Sequence, residues 1–385
     1  MTTPVAPHPS AEPGPVSQPP SAASQSLAGR LASVSARRPH RALLAWGLVV
    51  LLSLSFAATS LHGLTSTSHV LGTTPSGRAE ALYSRATGGS AGRQPTDVIV
   101  VSSKTATASS AAFRSVVGDL AARLRSDPGV SGVRADLAPG SPLVSAGGHA
   151  ALITLRAASD ADIKPVVATV RAANGAGGFA VAVTGEHTVG NDFTTLSSSD
   201  LRHGEIDFGL PIAIVVLLLV FGAVVAGLMP VLMALVSIVA GLGIATIVAQ
   251  EFSLSVFIVN MMTGMGLALG IDYSLFVISR FREERARGLD KDAAIAMTAA
   301  TAGRAVLFSG TTFVIALLGL FLVPTNVLRS LAAGAIIVGV VSVAAALTLL
   351  PAVLSLLGDR INALPIPPEP VWAGPTPPRD ASGGR

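Results

Sequence analysis

The chain has 385 residues, half of them hydrophobic and only 12% charged, where soluble domains carry roughly 25%. So little charge cannot coat a soluble protein of this size, whereas a chain that faces lipid does not need it. There is no cysteine, which excludes thiolate metal sites, disulfides and cysteine nucleophiles together. The formal net charge of +4 is not the footprint of a nucleic-acid partner, because the basic residues gather beside apolar runs. Arg30, Arg37, Arg38 and Arg41 precede the first run, and Arg280, Arg282, Arg285, Arg287 and Lys291 follow the fourth. Positive side chains collect in this way at cytoplasmic membrane ends.

The Pro-, Ser- and Ala-rich start, with its Pro19-Pro20 pair, predicts a disordered cytoplasmic tail over residues 1–40. Ala42 to Leu61 is an apolar run long enough to supply the ~20 helical residues that a hydrocarbon core needs. It places a first transmembrane helix within residues 41–64. Ala57 and Ala58 would permit signal-peptide cleavage, but the leader and the apolar run are both too long, so an uncleaved helix is expected. Charges return over residues 65–205. Asp97–Val101 reads as a strand, and Ala111–Arg125 as an amphipathic helix with Phe113, Val116, Val117, Leu120 and Leu124 on one face. Val130–Ala135 and Ala150–Arg156 are two more strands. Asp162–Ala173 is a helix with Pro165 in its first turn, where a missing N–H costs little, and Phe179–Thr184 is the last strand. The order β-α-β-β-α-β is the split βαβ pattern of a ferredoxin-like fold. It predicts an extracytoplasmic α+β domain between helices one and two, with Val189–Leu201 leading back to the membrane.

Residues 206–358 hold five further transmembrane helices, at about Ile206–Leu228, Val231–Ala249, Ser255–Ser279, Ala305–Leu322 and Leu331–Leu350. Met229-Pro230 and Val323-Pro324-Thr325-Asn326 read as tight turns between them. A charged cytoplasmic loop is expected at 280–304, with a short surface helix over Asp290–Thr301, and a Pro-rich cytoplasmic tail over 359–385. The fold class is therefore a polytopic α-helical membrane protein of the cell membrane, with six transmembrane helices and both termini in the cytoplasm. In that orientation every strong arginine cluster faces inward.

Asp272 lies inside the fourth apolar run, eight residues before the next charge, Arg280. That spacing is ~12 Å along a helix axis, which puts the carboxyl below the interface. An ionised carboxylate there costs at least ~2.5 kcal/mol on insertion scales. A carboxyl that is neutral facing one way and charged facing the other is the minimum device for coupling proton flow to movement. The same Asp could instead bond to polar groups on a neighbouring helix. Tyr273 adds a hydroxyl that donates or accepts, and adjacent helical residues point ~100° apart, so the two look toward different partners. Gly266 and Gly270 share a face with Tyr273. Their small-xxx-small spacing lets another helix come close, which is a packing role. Ser309, Thr311 and Thr312 either line the same polar path or bond to carbonyls of their own helix. Arg282, Glu283, Glu284 and Arg285 read as a solvated face. Glu186, His187, Asp192 and His203 lack metal-site spacing and read as surface residues. No Gly-x-Ser-x-Gly, His-Glu-x-x-His or Walker motif is present. No enzyme activity, cofactor or metal is therefore expected, and ATP as the energy source is unsupported.

The run Gly270-Ile271-Asp272-Tyr273, continuing to Phe281-Arg282-Glu283-Glu284, resembles the fourth-helix signature of MMPL transporters, within the resistance–nodulation–division superfamily. Gly303-Arg304 through Ser309 to Thr312 is similar to that family downstream, and Asp200-Leu201 through Val220-Phe221-Gly222 resembles its approach to the second helix. The resemblance implies proton-driven export of lipids or other hydrophobic molecules. Asp272 and Tyr273 would form the proton relay, Ser309 would lie beside it, and the extracytoplasmic domain would be a porter subdomain. Typical members have two such halves with facing Asp-Tyr pairs, and this chain has one. A two-fold repeat places its site between the halves. Besides membrane lipids and a hydrophobic substrate, the expected partner is thus a second half, either another copy or another half-size chain. A non-transporting membrane interaction or sensing protein, or an inactive truncated half, is the alternative.

Overall fold

The structure is a computed structural model that describes residues 27–60, 74–86, 96–159 and 162–366. It opens with α1 (Leu27–Arg37) and α2 (Pro39–Ser60), the first long apolar helix. Residues 27–37, read from the sequence as part of a tail, are thus helical. Ala28, Gly29 and Ala32 give α1 a smooth buried stripe that packs on residues 299–303. A Cβ added at Gly303 would lie 3.6 Å from Ala28 Cβ. Residues 1–26 fall outside the described residues.

After α3 (Pro75–Ala86) come β1 (Asp97–Ser103), α4 (Ala111–Arg125), β2 (Val130–Ala135), β3 (Ala150–Ala157), α5 (Ile163–Ala173) and β4 (Phe179–Gly185). The sheet order is β2-β3-β1-β4, with every neighbouring pair antiparallel. This is the expected ferredoxin-like topology. β1 and β3 alternate buried and half-buried residues, so their period of two buries one face against α4 and α5. Ile99, Val101, Phe113, Leu120, Ile153, Leu155 and Val166 fill that core. Ser110 caps α4, its Oγ accepting from the Phe113 N–H at 3.3 Å.

The second span is one helix from Glu186 to Phe221. It comprises α6 (Glu186–Asp200), a wider π-helical stretch at Leu201–Gly209, and α7 (Leu210–Phe221). Its 36 residues make a rod of ~54 Å, longer than a ~30 Å hydrocarbon core, so the excess forms a stalk under the sheet. The joint is specific. Asp97 of β1 is buried, and its Oδ1 accepts from the Thr188 N–H at 2.9 Å and from the Thr188 hydroxyl at 2.6 Å. Thr188 sits in the first turn of α6, so a sheet residue caps the stalk helix.

The remaining helices are α8 (Val224–Val248), α9 (Phe257–Ala286), α10 (Lys291–Thr298), α11 (Arg304–Leu318), α12 (Asn326–Ala344) and α13 (Leu350–Leu357). α10 and α11 join in one apolar helix, Lys291–Leu322, and α12 and α13 join in another, Asn326–Asn362. Among the described residues, six helices are therefore long and apolar enough to cross a membrane. α8, α9 and α12 form the centre, and the other three spans lie mostly exposed around them. At the centre a Cβ on Gly270 would stand 2.7 Å from Ala234 Cβ, and one on Gly266 would stand 3.0 Å from Val338 Cγ2. Only glycine lets α8 and α12 approach that closely.

Two sequence expectations change here. The second and third spans turn at Gly222-Ala223, not at Met229-Pro230. Gly222 adopts φ 61° and its N–H bonds to the Leu218 carbonyl at 2.9 Å, a left-handed helix end that a residue without Cβ adopts freely. Pro230 lies inside α8, where surrounding helices can satisfy the carbonyl it leaves free. Nor is the segment after Leu357 merely a tail. The Val224 N–H donates to the Leu364 carbonyl at 3.1 Å, and the Ile366 N–H to the Gly222 carbonyl at 2.9 Å, so this segment closes the Gly222 turn. Residues 367–385 fall outside the described residues.

The capping joint makes a prediction. Asp97→Ala leaves two buried Thr188 donors unpaired and should cost about 1–3 kcal/mol, whereas Asp97→Asn keeps the accepting oxygen and should cost less. Thermal unfolding of the purified chain, followed by circular dichroism, measures the difference.

Candidate functional site

Asp272 and Tyr273 sit midway along α9, and the helix sends them to different neighbours. Asp272 is exposed on this chain. It opens onto a cleft of about 320 Å³ between α9 and the second span. Small residues create the gap, with Gly204, Gly209 and Ala213 on one wall and Gly264 and Ala268 on the other. The Asp272 carboxylate has no hydrogen bond or ion pair among the described residues. Tyr273 is buried and reaches toward α11, where a Cβ on Gly310 would come within 3.8 Å of its hydroxyl oxygen. The ~100° step between neighbouring helical residues accounts for this division.

The fifth-span hydroxyls divide as well. Thr311 and Thr312 donate to the Leu307 and Phe308 carbonyls of their own helix at 2.8 and 3.0 Å. Ser309 is exposed, next in sequence to the Gly310 that abuts Tyr273. Gly266 and Gly270 lie on the opposite, buried side of α9, against α8.

Sequence reasoning passed over Glu205. It lies in the π-helical stretch of the second span and shares the cleft with Asp272. Gly264 makes room for it, since a Cβ there would come within 2.8 Å of Glu205 Oε1. Glu205 Oε2 is sealed from solvent and has no hydrogen-bond partner. The available signal was an acid at the head of the apolar run that begins at Ile206, within a stretch now seen to be continuous helix.

Of the charged stretch that the sequence reads as a solvated face, Glu283 is exposed, whereas Arg282, Glu284 and Arg285 are engaged. Glu284 is buried and pairs with Arg280 and, at 2.8 Å, with Arg287. Arg282 donates to the Phe221 carbonyl at 3.0 Å and lies over the Phe221 ring at 5.6 Å, tying α9 to the end of α7. Arg285 pairs with Asp359. A helix that continues to Ala286 brings Arg282 and Arg285 onto neighbouring elements and sets Glu284 between two arginines of its own helix end. Among the described residues no group of three or more His, Asp or Glu is placed to hold a metal.

Six apolar helices and a ferredoxin-like domain inserted between the first two define a multi-pass membrane protein of porter-type architecture. The model of the MMPL family matches residues 72–372, and the chain belongs to that family. A membrane protein of Streptomyces coelicolor is 34% identical over 351 residues, which is 88% of this chain and 48% of that protein. The mycolic acid-containing lipids exporter MmpL11 of Mycolicibacterium smegmatis is 37% identical over 176 residues, 46% of this chain and 18% of the exporter. The trehalose monomycolate exporter MmpL3 of Mycobacterium tuberculosis is 37% identical over 187 residues, 49% of this chain and 20% of the exporter. The chain thus spans about half the length of the Streptomyces relative and aligns with a smaller part of the two exporters.

An aspartate without partners makes a stability prediction. Asp272→Asn and Asp272→Leu should leave the thermal midpoint of the purified chain unchanged or raise it, because they remove a charge from an apolar helix. An aspartate that served as a structural hydrogen-bonding post would instead show a loss of about 1–3 kcal/mol.

Proposed function

We propose that the protein is a proton-driven transporter of the MMPL type, exporting lipids or other hydrophobic molecules from the cell membrane opposite a second set of six helices. One observation carries this reading: the Asp272 carboxylate stands unpaired on the exposed flank of an apolar helix, beside a cleft. Facing lipid it would be costly. Facing a second half that bears the same Asp-Tyr pair, it lies on a shared polar path. Asp272 then carries the proton, Tyr273 is the second member of the relay, and Ser309 adjoins in sequence the Gly310 that abuts Tyr273. The names of two relatives, both lipid exporters, support a lipid substrate here. The ferredoxin-like domain, raised on its stalk, faces the extracytoplasmic side and forms part of the substrate route. Both termini lie in the cytoplasm. The second set of helices comes from another copy of the chain, from another chain or from further sequence of the same polypeptide.

The test is proton-coupled lipid export in proteoliposomes. Asp272→Asn should reduce it by about a hundredfold or more, and unchanged export would refute the relay. Light scattering on the protein in nanodiscs, corrected for lipid, identifies the partner. A dimer supports pairing of two copies, and a stable monomer refutes it.

A further inference from the structure

The geometry points to Glu205 as a second proton-carrying carboxyl, which loads Asp272 from the domain-side end of the bundle through the cleft they share. The inference rests on the transporter reading above. Glu205 stands where two cavities meet. One is the 320 Å³ cleft that holds Asp272. The other, about 570 Å³, opens at Phe257, Asn260 and Met261 on the α9 side and at Val327 and Leu331 on the α12 side. Phe257 and Asn326 begin α9 and α12, so this second cavity lies at the end of the bundle nearest the α/β domain. Gly264, which faces Glu205, precedes Asp272 by eight residues on one helix, or ~12 Å. That is beyond direct proton transfer, which needs groups ~3 Å apart. The cleft has room for several waters at ~30 Å³ each.

Two buried acids elsewhere in the chain show what a structural carboxylate looks like here. Glu284 holds two arginines, and Asp97 holds Thr188 through Oδ1, with its Oδ2 left without a partner. Glu205 Oε2 holds nothing. Among the described residues, no titratable side chain other than Glu205 and Asp272 lines either cavity. On its own helix Arg202, His203 and Asp207 are exposed on other faces. On α12, Arg329 Nε donates to the Val323 carbonyl of its own turn. The π-helical stretch around Glu205 widens the helix where its side chain enters the cleft, a distortion frequent at functional positions.

The transfer balances. A hydronium ion in the domain-side water gives a proton to the Glu205 carboxylate, its own O–H bond breaking to leave water as a new O–H bond forms on Glu205. That bond breaks as the proton passes along water to the Asp272 carboxylate, and Glu205 is again an anion ready to accept.

Labelling the full chain in nanodiscs with dicyclohexylcarbodiimide, which attacks protonated carboxyls in apolar surroundings, tests this without transport. Peptide mass spectrometry across pH should find Glu205 and Asp272 labelled and the exposed Glu283 not. Asp272→Asn should move the Glu205 profile by roughly one pH unit, the coupling expected across ~12 Å. In proteoliposomes Glu205→Gln should slow proton flux about tenfold or more with Asp272 still labelled, and Glu205→Asp should restore most of it. An unlabelled Glu205, or a profile indifferent to Asp272, overturns the proposal. Loss of flux in Asp272→Asn with full flux in Glu205→Gln also overturns it, and leaves the transporter reading standing. Full flux in both variants overturns both.

Discussion

Hydrocarbon offers a carboxylate no hydrogen bonds, and Asp272 finds none among the described residues of its own bundle. A helix resolves the same difficulty for its backbone by pairing every N–H and C=O internally, which is why this chain crosses a membrane only as helices. A side-chain charge has no such internal remedy. It must meet a partner, water or a proton. The packing of α9 decides which of these is within reach. Gly266 and Gly270 seat one side of the helix against α8 and α12, and this fixes the rotation that turns Asp272 outward to the cleft and Tyr273 inward toward α11.

The second span is the other half of that arrangement. Its domain-side end is tied down, by Asp97 at Thr188, by the Asn260 amide on the Ser197 carbonyl at 2.8 Å, and by an edge-to-face contact of Phe193 with Phe257 at 5.8 Å. Its far end is held by Arg282 on Phe221 and by the strand-like pairing of Gly222–Val224 with Leu364–Ile366. Between these clamps, glycine and alanine line the wall that faces α9, so the helices stay apart and a cleft remains. A single rod therefore connects the sheet to the two carboxyls.

How much of this was legible follows from which signals are local. The α/β domain reads well because a buried strand repeats every two residues and a buried helix face every three or four, and Ser110 marks a helix start. The existence of six spans follows from hydropathy alone. Their ends do not. In a uniformly apolar stretch Pro230 looks like a breaker and Gly222 looks like nothing, yet the left-handed turn belongs to Gly222. Asp272 stands out because its neighbours in sequence are apolar. Glu205 does not, since Arg202, His203 and Asp207 surround it with charges that end up on other faces. Its role depends on the absence of a side chain at Gly264, on a different helix, and no sequence period records that. Glu284 misleads for the same reason, because its arginines are helical neighbours only once α9 is known to continue.

The fold alone does not separate transport from sensing, since one architecture can host either. The state of the carboxyls in the bundle bears on that choice. A structural protein that buries an acid gains by satisfying it, and this chain does so fully at Glu284 and through one carboxylate oxygen at Asp97. A buried acid left unsatisfied is costly unless its charge comes and goes. Among the described residues, the exposed Asp272 and the half-buried Glu205 have no such partner, and they share one cleft. The same chain thus holds satisfied acids where it needs rigidity and unsatisfied ones where a proton would have to pass. That contrast favours a moving charge over a scaffold.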